Sequence, residues 1–309
     1  MKFLISLLFL FSVSLIPTSD CLARQAANQT ISVDVDLVNV IFTVFDRKGK
    51  FITNLDQQRF TVFEDNHPQR ITNFSKESNL PLTIALLIDT SGSIRDKLRF
   101  EQEAAIEFFY STLKKLVDKA LVISFDSGVD LVQDYTDDPE VLADAVKRIR
   151  AGGGTALYDA VHQATQKLIG QPGRKILILI SDGDDNSSRV SLTETVEHIQ
   201  RNDVSVFAIS TNASADSRSR EQDRGDKVLK KFAEESGGKV FFPFKLQELT
   251  SDFQNISEEL RSQYTLAYRS TNSAKDGTFR KIRIAVGEKN YQVRARTGYY
   301  TTRPKGFEK

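Results

Sequence analysis

Hydrophobic patterning changes twice along the chain. From Ile31 to about Ser75 apolar and polar positions alternate with period two, as in Ile31-Ser32-Val33-Asp34-Val35-Asp36-Leu37 and Phe60-Thr61-Val62-Phe63-Glu64-Asp65. Successive side chains of a strand point to opposite faces, so the alternation predicts strands with one buried and one wet face. Turn-forming clusters at Asp46-Arg47-Lys48-Gly49 and Glu64-Asp65-Asn66-His67-Pro68 divide this segment into four or five antiparallel strands.

After Pro81 the run Leu82-Thr83-Ile84-Ala85-Leu86-Leu87-Ile88 is apolar but for Thr83 and stops at Asp89. A strand buried on both faces of a parallel sheet reads this way. A helix-period segment follows from about Arg95 to Lys115 and is expected to bury Phe100, Ala104, Phe108 and positions toward Leu116. Strands are expected at Ala120 to Phe125, at an edge near Val129 to Val132, at Lys175 to Ile180 and at Val204 to Ile209. Helices are expected around 139 to 150, 157 to 169 and 192 to 201, with a helix and strand pair ending at Phe242 and a last helix over 246 to 262. The polar stretch from Thr211 to Gly225 reads as a surface connection rather than a site. Strands alternating with helices give a doubly wound, mostly parallel α/β sheet.

Period two returns in Tyr264 to Tyr268, Lys281 to Val286 and Tyr291 to Tyr300, with Asp276-Gly277 as a hairpin signal between the first two. Three strands are too few to stand alone, so they are expected to complete the sheet begun by the N-terminal strands. The α/β domain is then inserted in a small antiparallel β-sandwich-like module made from both ends of the chain. The expected division is a signal peptide at 1–23, β module at 24–78 and 263–303, α/β domain at 79–246, a connecting helix at 247–262 and a tail at 304–309.

The chain's 309 residues suffice for a large domain and a smaller companion. Lysine and arginine number 42 against 41 acidic residues and are scattered, which argues against a nucleic-acid partner. Lys2 precedes a run from Phe3 to Phe11 that is apolar but for Ser6, extended to Ile16 and ended by Pro17, the order of a secretory signal with cleavage after Ala23. An uncleaved anchor is the rival reading. A lipoprotein on Cys21 is disfavoured by Asp20, which occupies a position that requires a small residue. Cleavage removes the chain's one cysteine, and with it disulfides and thiolate metal sites. No later segment is apolar for long enough to span a membrane, so a periplasmic or secreted product is expected.

Candidate chemistry lies where apolar strands end. The first ends in Asp89-Thr90-Ser91-Gly92-Ser93, a loop reads Gly152-Gly153-Gly154-Thr155, and the second buried strand ends in Ser181-Asp182-Gly183. In a doubly wound sheet such carboxyl ends are where ligands gather. Each signal alone also suits a capped helix or a plain loop. Together and in this order they match a metal-ion-dependent adhesion site, and residues 80 to 245 resemble the von Willebrand factor A family. The resemblance implies that Ser91, Ser93 and Thr155 offer hydroxyls to the ion, while Asp89 and Asp182 hold coordinated waters or orient those hydroxyls. Hydroxyl, carboxylate and water oxygens suit magnesium first, or calcium or manganese. A partner protein's carboxylate would complete the shell. Asp184 and Asp185 add negative charge beside the site or belong to a solvated turn.

Flanking segments extend the likeness. Phe42-Thr43-Val44-Phe45-Asp46, Phe60-Thr61-Val62-Phe63-Glu64-Asp65 and Arg261-Ser262-Gln263-Tyr264-Thr265-Leu266 resemble the acidobacterial-type von Willebrand factor A-related family of exported proteins. That implies an exported binding module with no assigned reaction; no catalytic residues are expected, and the protein is not expected to be an enzyme.

Other readings meet specific obstacles. Asp182-x-Asp184-x-Asn186 imitates the start of an EF-hand loop, but Ser187 and Thr193 occupy the glycine and glutamate positions. A metal-assisted hydrolase would need a base. His67 is in a turn, and His162 and His198 fall in helices; the Gly-x-Ser-x-Gly and Gly-Lys-Ser/Thr motifs are absent from the sequence. A component of an envelope assembly with a purely structural ion also stays open. So does a helper of a ring ATPase, against which the signal peptide speaks.

Overall fold

The computed structural model describes residues 37–76, 80–212, 219–243, 245 and 248–302. The signal peptide with Cys21, the alternating residues 31–36 and the tail from 303 lie outside the described residues. The first regime forms β1 (Leu37–Asp46), β2 (Phe60–Glu64), β3 (His67–Gln69) and β4 (Ile71–Ser75). Asp65 and Asn66 join β2 to β3 with φ of 47° and 68°, the left-handed pair that a tight hairpin turn requires.

The apolar run forms β5 (Leu82–Asp89), buried at every position. It is followed by α1 (Leu98–Thr112), β6 (Lys119–Phe125), β7 (Val129–Thr136), α2 (Pro139–Arg148), α3 (Leu157–Leu168), β8 (Arg174–Ser181), α4 (Leu192–Arg201), β9 (Val204–Ser210), α5 (Arg220–Ser236), β10 (Val240–Phe241) and α6 (Glu248–Leu260). The six-stranded sheet has order β10-β9-β8-β5-β6-β7, parallel except for β7 at its edge. Alternate residues of β5 serve opposite faces. Ile84, Leu86 and Ile88 pack with Phe108 of α1, Val146 of α2 and Phe253 of α6. Ala85 and Leu87 pack with Val161 of α3, Ile199 of α4 and Phe232 of α5. Among the described residues no helix is long and apolar enough to cross a membrane.

Helix α1 departs from expectation in phase. Its buried stripe is Leu98, Glu101, Ala104, Ala105, Phe108, Phe109 and Thr112, while Phe100 is 41% and Leu116 90% exposed. The stripe runs from Leu98 to Phe108 at spacings of three and four through position 101, and there the chain places a glutamate.

The last regime forms β11 (Tyr264–Arg269), β12 (Phe279–Val286), β13 (Tyr291–Ala295) and β14 (Gly298–Tyr300). Two four-stranded sheets, β13-β1-β11-β4 and β14-β12-β2-β3, interleave strands from both ends of the chain, so the α/β domain is inserted between β4 and β11. The expected β11–β12 hairpin does not form. Both edges of β11 are taken, by β1 and β4, and the Asp276-Gly277 turn carries the chain to the other sheet instead. Phe42, Phe60 and Tyr264 centre the core between the sheets, with Phe42 and Tyr264 stacked at 5.3 Å. Buried polar contacts tie sandwich to domain: Thr43 Oγ1 donates to Glu259 Oε1 at 3.1 Å, Arg294 pairs with Glu259, and Arg174 Nη1 donates to Gln263 Oε1 at 2.8 Å.

Candidate functional site

Strand order reverses beside β5: the chain leaves it for β6 on one side and later returns to β8 on the other. The β5–β8 pair is in parallel register through Ile88 and Ile180, so Asp89 and Ser181-Asp182 end side by side at the carboxyl edge. A cleft of about 520 Å³ opens there, and Ser91, Ser93, Thr155 and Asp182 all line it. Asp89 lies behind them, 0% exposed.

Hydrogen bonds fix these side chains to one another. Asp89 Oδ1 accepts from the Ser91 N–H at 2.9 Å and Asp89 Oδ2 from the Ser181 hydroxyl at 2.7 Å. The Ser91 and Ser93 hydroxyl oxygens are 3.0 Å apart, and Ser93 Oγ donates to Asp182 Oδ2 at 2.8 Å. Thr155 is held from behind: its N–H donates to Asn186 Oδ1 at 2.9 Å, and its carbonyl accepts from the N–H groups of Asn186 and Ser187. The glycine loop is bound to the first by Gly152 N–H to Thr90 O at 2.7 Å and Gly92 N–H to Gly153 O at 3.2 Å. The three loops are thereby a single framework.

The local charge is negative and poorly compensated. Burial pushes the Asp89 carboxyl up to about 6; the Asp182 charge adds to the effect, while the bonds from Ser181 and Ser91 oppose it. Glu101, on the buried stripe of α1, is pushed up to about 8, first by burial and then by the Asp89 charge, with Lys97 opposing. Clustered neutral hydroxyls over a buried carboxylate form a donor set that fits a hard divalent cation. Among the described residues no group of three or more His, Cys, Asp or Glu side chains is placed to hold a metal ion, in this cleft or elsewhere; the donors here are hydroxyls with two carboxylates.

Of the stretch 211–225, residues 213–218 lie outside the described residues, and the two described parts border the site, against the surface-connection reading. Thr211, Asn212, Ser219, Glu221 and Gln222 line the same cleft, and residues 220–225 belong to α5. Asn212 Nδ2 donates to the Asp182 carbonyl at 2.8 Å and to Asp226 Oδ1 at 2.9 Å, and Ser210 Oγ donates to Asp226 at 2.7 Å. Gly225 is needed for this approach, because a Cβ there would lie 2.2 Å from the Asp182 carbonyl oxygen. Polar composition concealed the segment. The Ser219-x-x-Gln222 spacing was the readable signal, since it forms a capping box at the start of α5. Glu101 was also missed, and its signal was a charge at an apolar-stripe position.

Histidine is not part of the cleft lining. His162 of α3 and His198 of α4 stack on each other with ring centroids 4.0 Å apart.

The model of the von Willebrand factor type A domain matches residues 83–259. The uncharacterized protein YehP of Escherichia coli (strain K12) is 30% identical over 128 residues, which is 41% of this chain and 31% of YehP. The chain thus spans less than a third of that relative. Among solved structures, the von Willebrand factor type A protein from Catenulispora acidiphila is similar with a TM-score of 0.50 at 14% identity, over 88% of this chain and 74% of that one. Proximal thread matrix protein 1 from the mussel byssus has a TM-score of 0.50 at 16% identity, over 64% of this chain and 49% of its own. At these identities the structural likeness is one of fold.

Proposed function

Given that this chain belongs to the von Willebrand factor type A domain family, whose domains generally mediate protein interactions, we propose that it is an exported, non-enzymatic binding module with a cation-dependent site. Asp89, Ser91, Ser93, Thr155 and Asp182 hold a divalent ion, magnesium first. One observation carries the reading: Ser91 Oγ, Ser93 Oγ and Asp182 Oδ2 form a contiguous row along the cleft, backed by the buried Asp89 carboxyl. When bound, such an ion supplies a Lewis-acid position that a partner's carboxylate oxygen can fill. The protein's own residues do the rest. Asp89 orients the Ser91 backbone, Asp182 fixes the Ser93 hydroxyl, and the Asn186–Thr155 contacts hold the third hydroxyl on the cleft wall.

Export rests on the charged, apolar and Pro17-terminated order of residues 1–23. The absence of histidine from the cleft lining supports a binding role over a hydrolytic one. We also place the domain at 79–246, carried on the β module of 24–78 and 263–303.

Affinity capture from an extract tests this reading, run in magnesium and again in chelator, with captured proteins identified by mass spectrometry. A partner present in magnesium and lost in chelator, while the bait keeps its fold, is the expected result. A partner retained in chelator would assign binding to another face, and a bait that unfolds in chelator would make the ion structural.

A further inference from the structure

A carboxyl group set into a hydrophobic stripe needs a physical reason. Glu101 shares its helix face with Leu98, Ala104 and Phe108, is 0% exposed, and neither of its carboxyl oxygens has a hydrogen-bond partner among the described residues. An ionised carboxylate is expensive to leave in that state, and an apolar residue would pack there without the penalty. Three charged groups act on it: Asp89 at the end of β5 and Asp182 at the end of β8 repel it, and Lys97 before α1 attracts it. The Lys97 ammonium already donates to the Thr211 carbonyl oxygen. The Glu101 N–H donates to the Lys97 carbonyl at 3.2 Å, and Lys97 lines the cleft with Asp182, so Glu101 lies one helical turn behind the cleft wall with one tethered ammonium beside it.

We propose that Glu101 is a charge partner of the cation site, a buried carboxylate below the cleft that strengthens cation binding and favours ions of higher charge. The inference rests on the cation reading above. With the Lys97 ammonium counted, the two aspartates leave a site occupied by a divalent ion with one net positive charge; an ionised Glu101 brings it to neutrality and retains the ion before any partner arrives. In a poorly screened interior each added carboxylate attracts a trivalent ion more strongly than a divalent one.

The test is calorimetric titration of the full chain with manganese chloride and with terbium chloride. Wild type, Glu101→Gln and Glu101→Met are compared, with thermal unfolding in chelator alongside. Both variants are expected to bind manganese about ten- to hundredfold more weakly, to lose more affinity for terbium than for manganese, and to melt in chelator at or above the wild-type temperature. A folded variant with wild-type manganese affinity overturns the role of Glu101 and leaves the cation site standing. A wild-type chain that binds neither ion overturns both. Equal losses for the two ions with a lowered melting temperature in chelator, or failure of both variants to fold, make Glu101 a packing residue and overturn the proposal.

Discussion

Asp89→Asn is expected to weaken divalent-cation binding by about a hundredfold while leaving the fold in place. The amide matches the carboxylate in shape. Its oxygen can still accept from the Ser91 N–H and its NH2 can donate to the Ser181 oxygen, so the two contacts at 2.9 and 2.7 Å survive with only the charge removed. In chelator the variant should melt no lower than wild type, because a buried charge without a cationic partner is itself unfavourable. The wild type adds a pH signature. Burial holds the Asp89 carboxyl up at about 6, so it protonates, and cation affinity falls, as the pH drops through that value. The sign for folding is the reverse. A raised carboxyl pKa contributes stability below the unfolded value, and that contribution is lost as pH rises through about 6. Titration calorimetry across this range, on wild type and Asp89→Asn, checks the first sign, and unfolding in chelator over the same range checks the second; equal affinities would remove Asp89 from the site.

The second large effect is in the sandwich. Glu64 of β2 is 2% exposed and accepts from the hydroxyls of Tyr268 and Tyr299, each at 2.9 Å, from Ser270, and from Arg280 Nη1 at 3.2 Å. It is the N-terminal segment's only member of this cluster; the other four side chains come from residues 268–299. Glu64→Ala leaves the 3%-exposed Arg280 without its carboxylate and two phenols without an acceptor. The expected loss is about 3–5 kcal/mol, read as a lowered midpoint in urea unfolding. Glu64→Gln, which keeps an acceptor, should lose less. A loss under about 1 kcal/mol for Glu64→Ala, the size of an exposed pair, would mean that the cluster does not join the two ends of the chain.

Much of this was legible because buried parallel strands are read as runs. β5 and β8 are apolar to their last residues, so a polar residue at the end of each marks the sheet's carboxyl edge. Asp89 and Asp182 are 93 positions apart in number only, since β5 and β8 are adjacent in the sheet. What was not legible depended on long-range competition. The Asp276-Gly277 turn is a genuine local signal, yet whether it closes a hairpin is decided by β1 and β4, which occupy both edges of β11. The phase of α1 was misjudged because Phe100 outweighs Glu101 in any apolar count, whereas the surrounding Leu98, Ala105 and Phe109 fix the face that turns inward. Thr211, Asn212, Ser219, Glu221 and Gln222, which line the cleft, come from a stretch with the composition of a surface loop. It becomes part of the site's surroundings only through Asn212 and the close approach of Gly225 to Asp182.

Cation binding at the carboxyl edge of this sheet is tested most directly by an anomalous-difference map from crystals of the protein grown with manganese. A single strong peak between Ser91 Oγ, Ser93 Oγ and the Thr155 hydroxyl, lost in Asp89→Asn, is the predicted result. A map with no peak in this cleft, at manganese concentrations that saturate binding in solution, would contradict it.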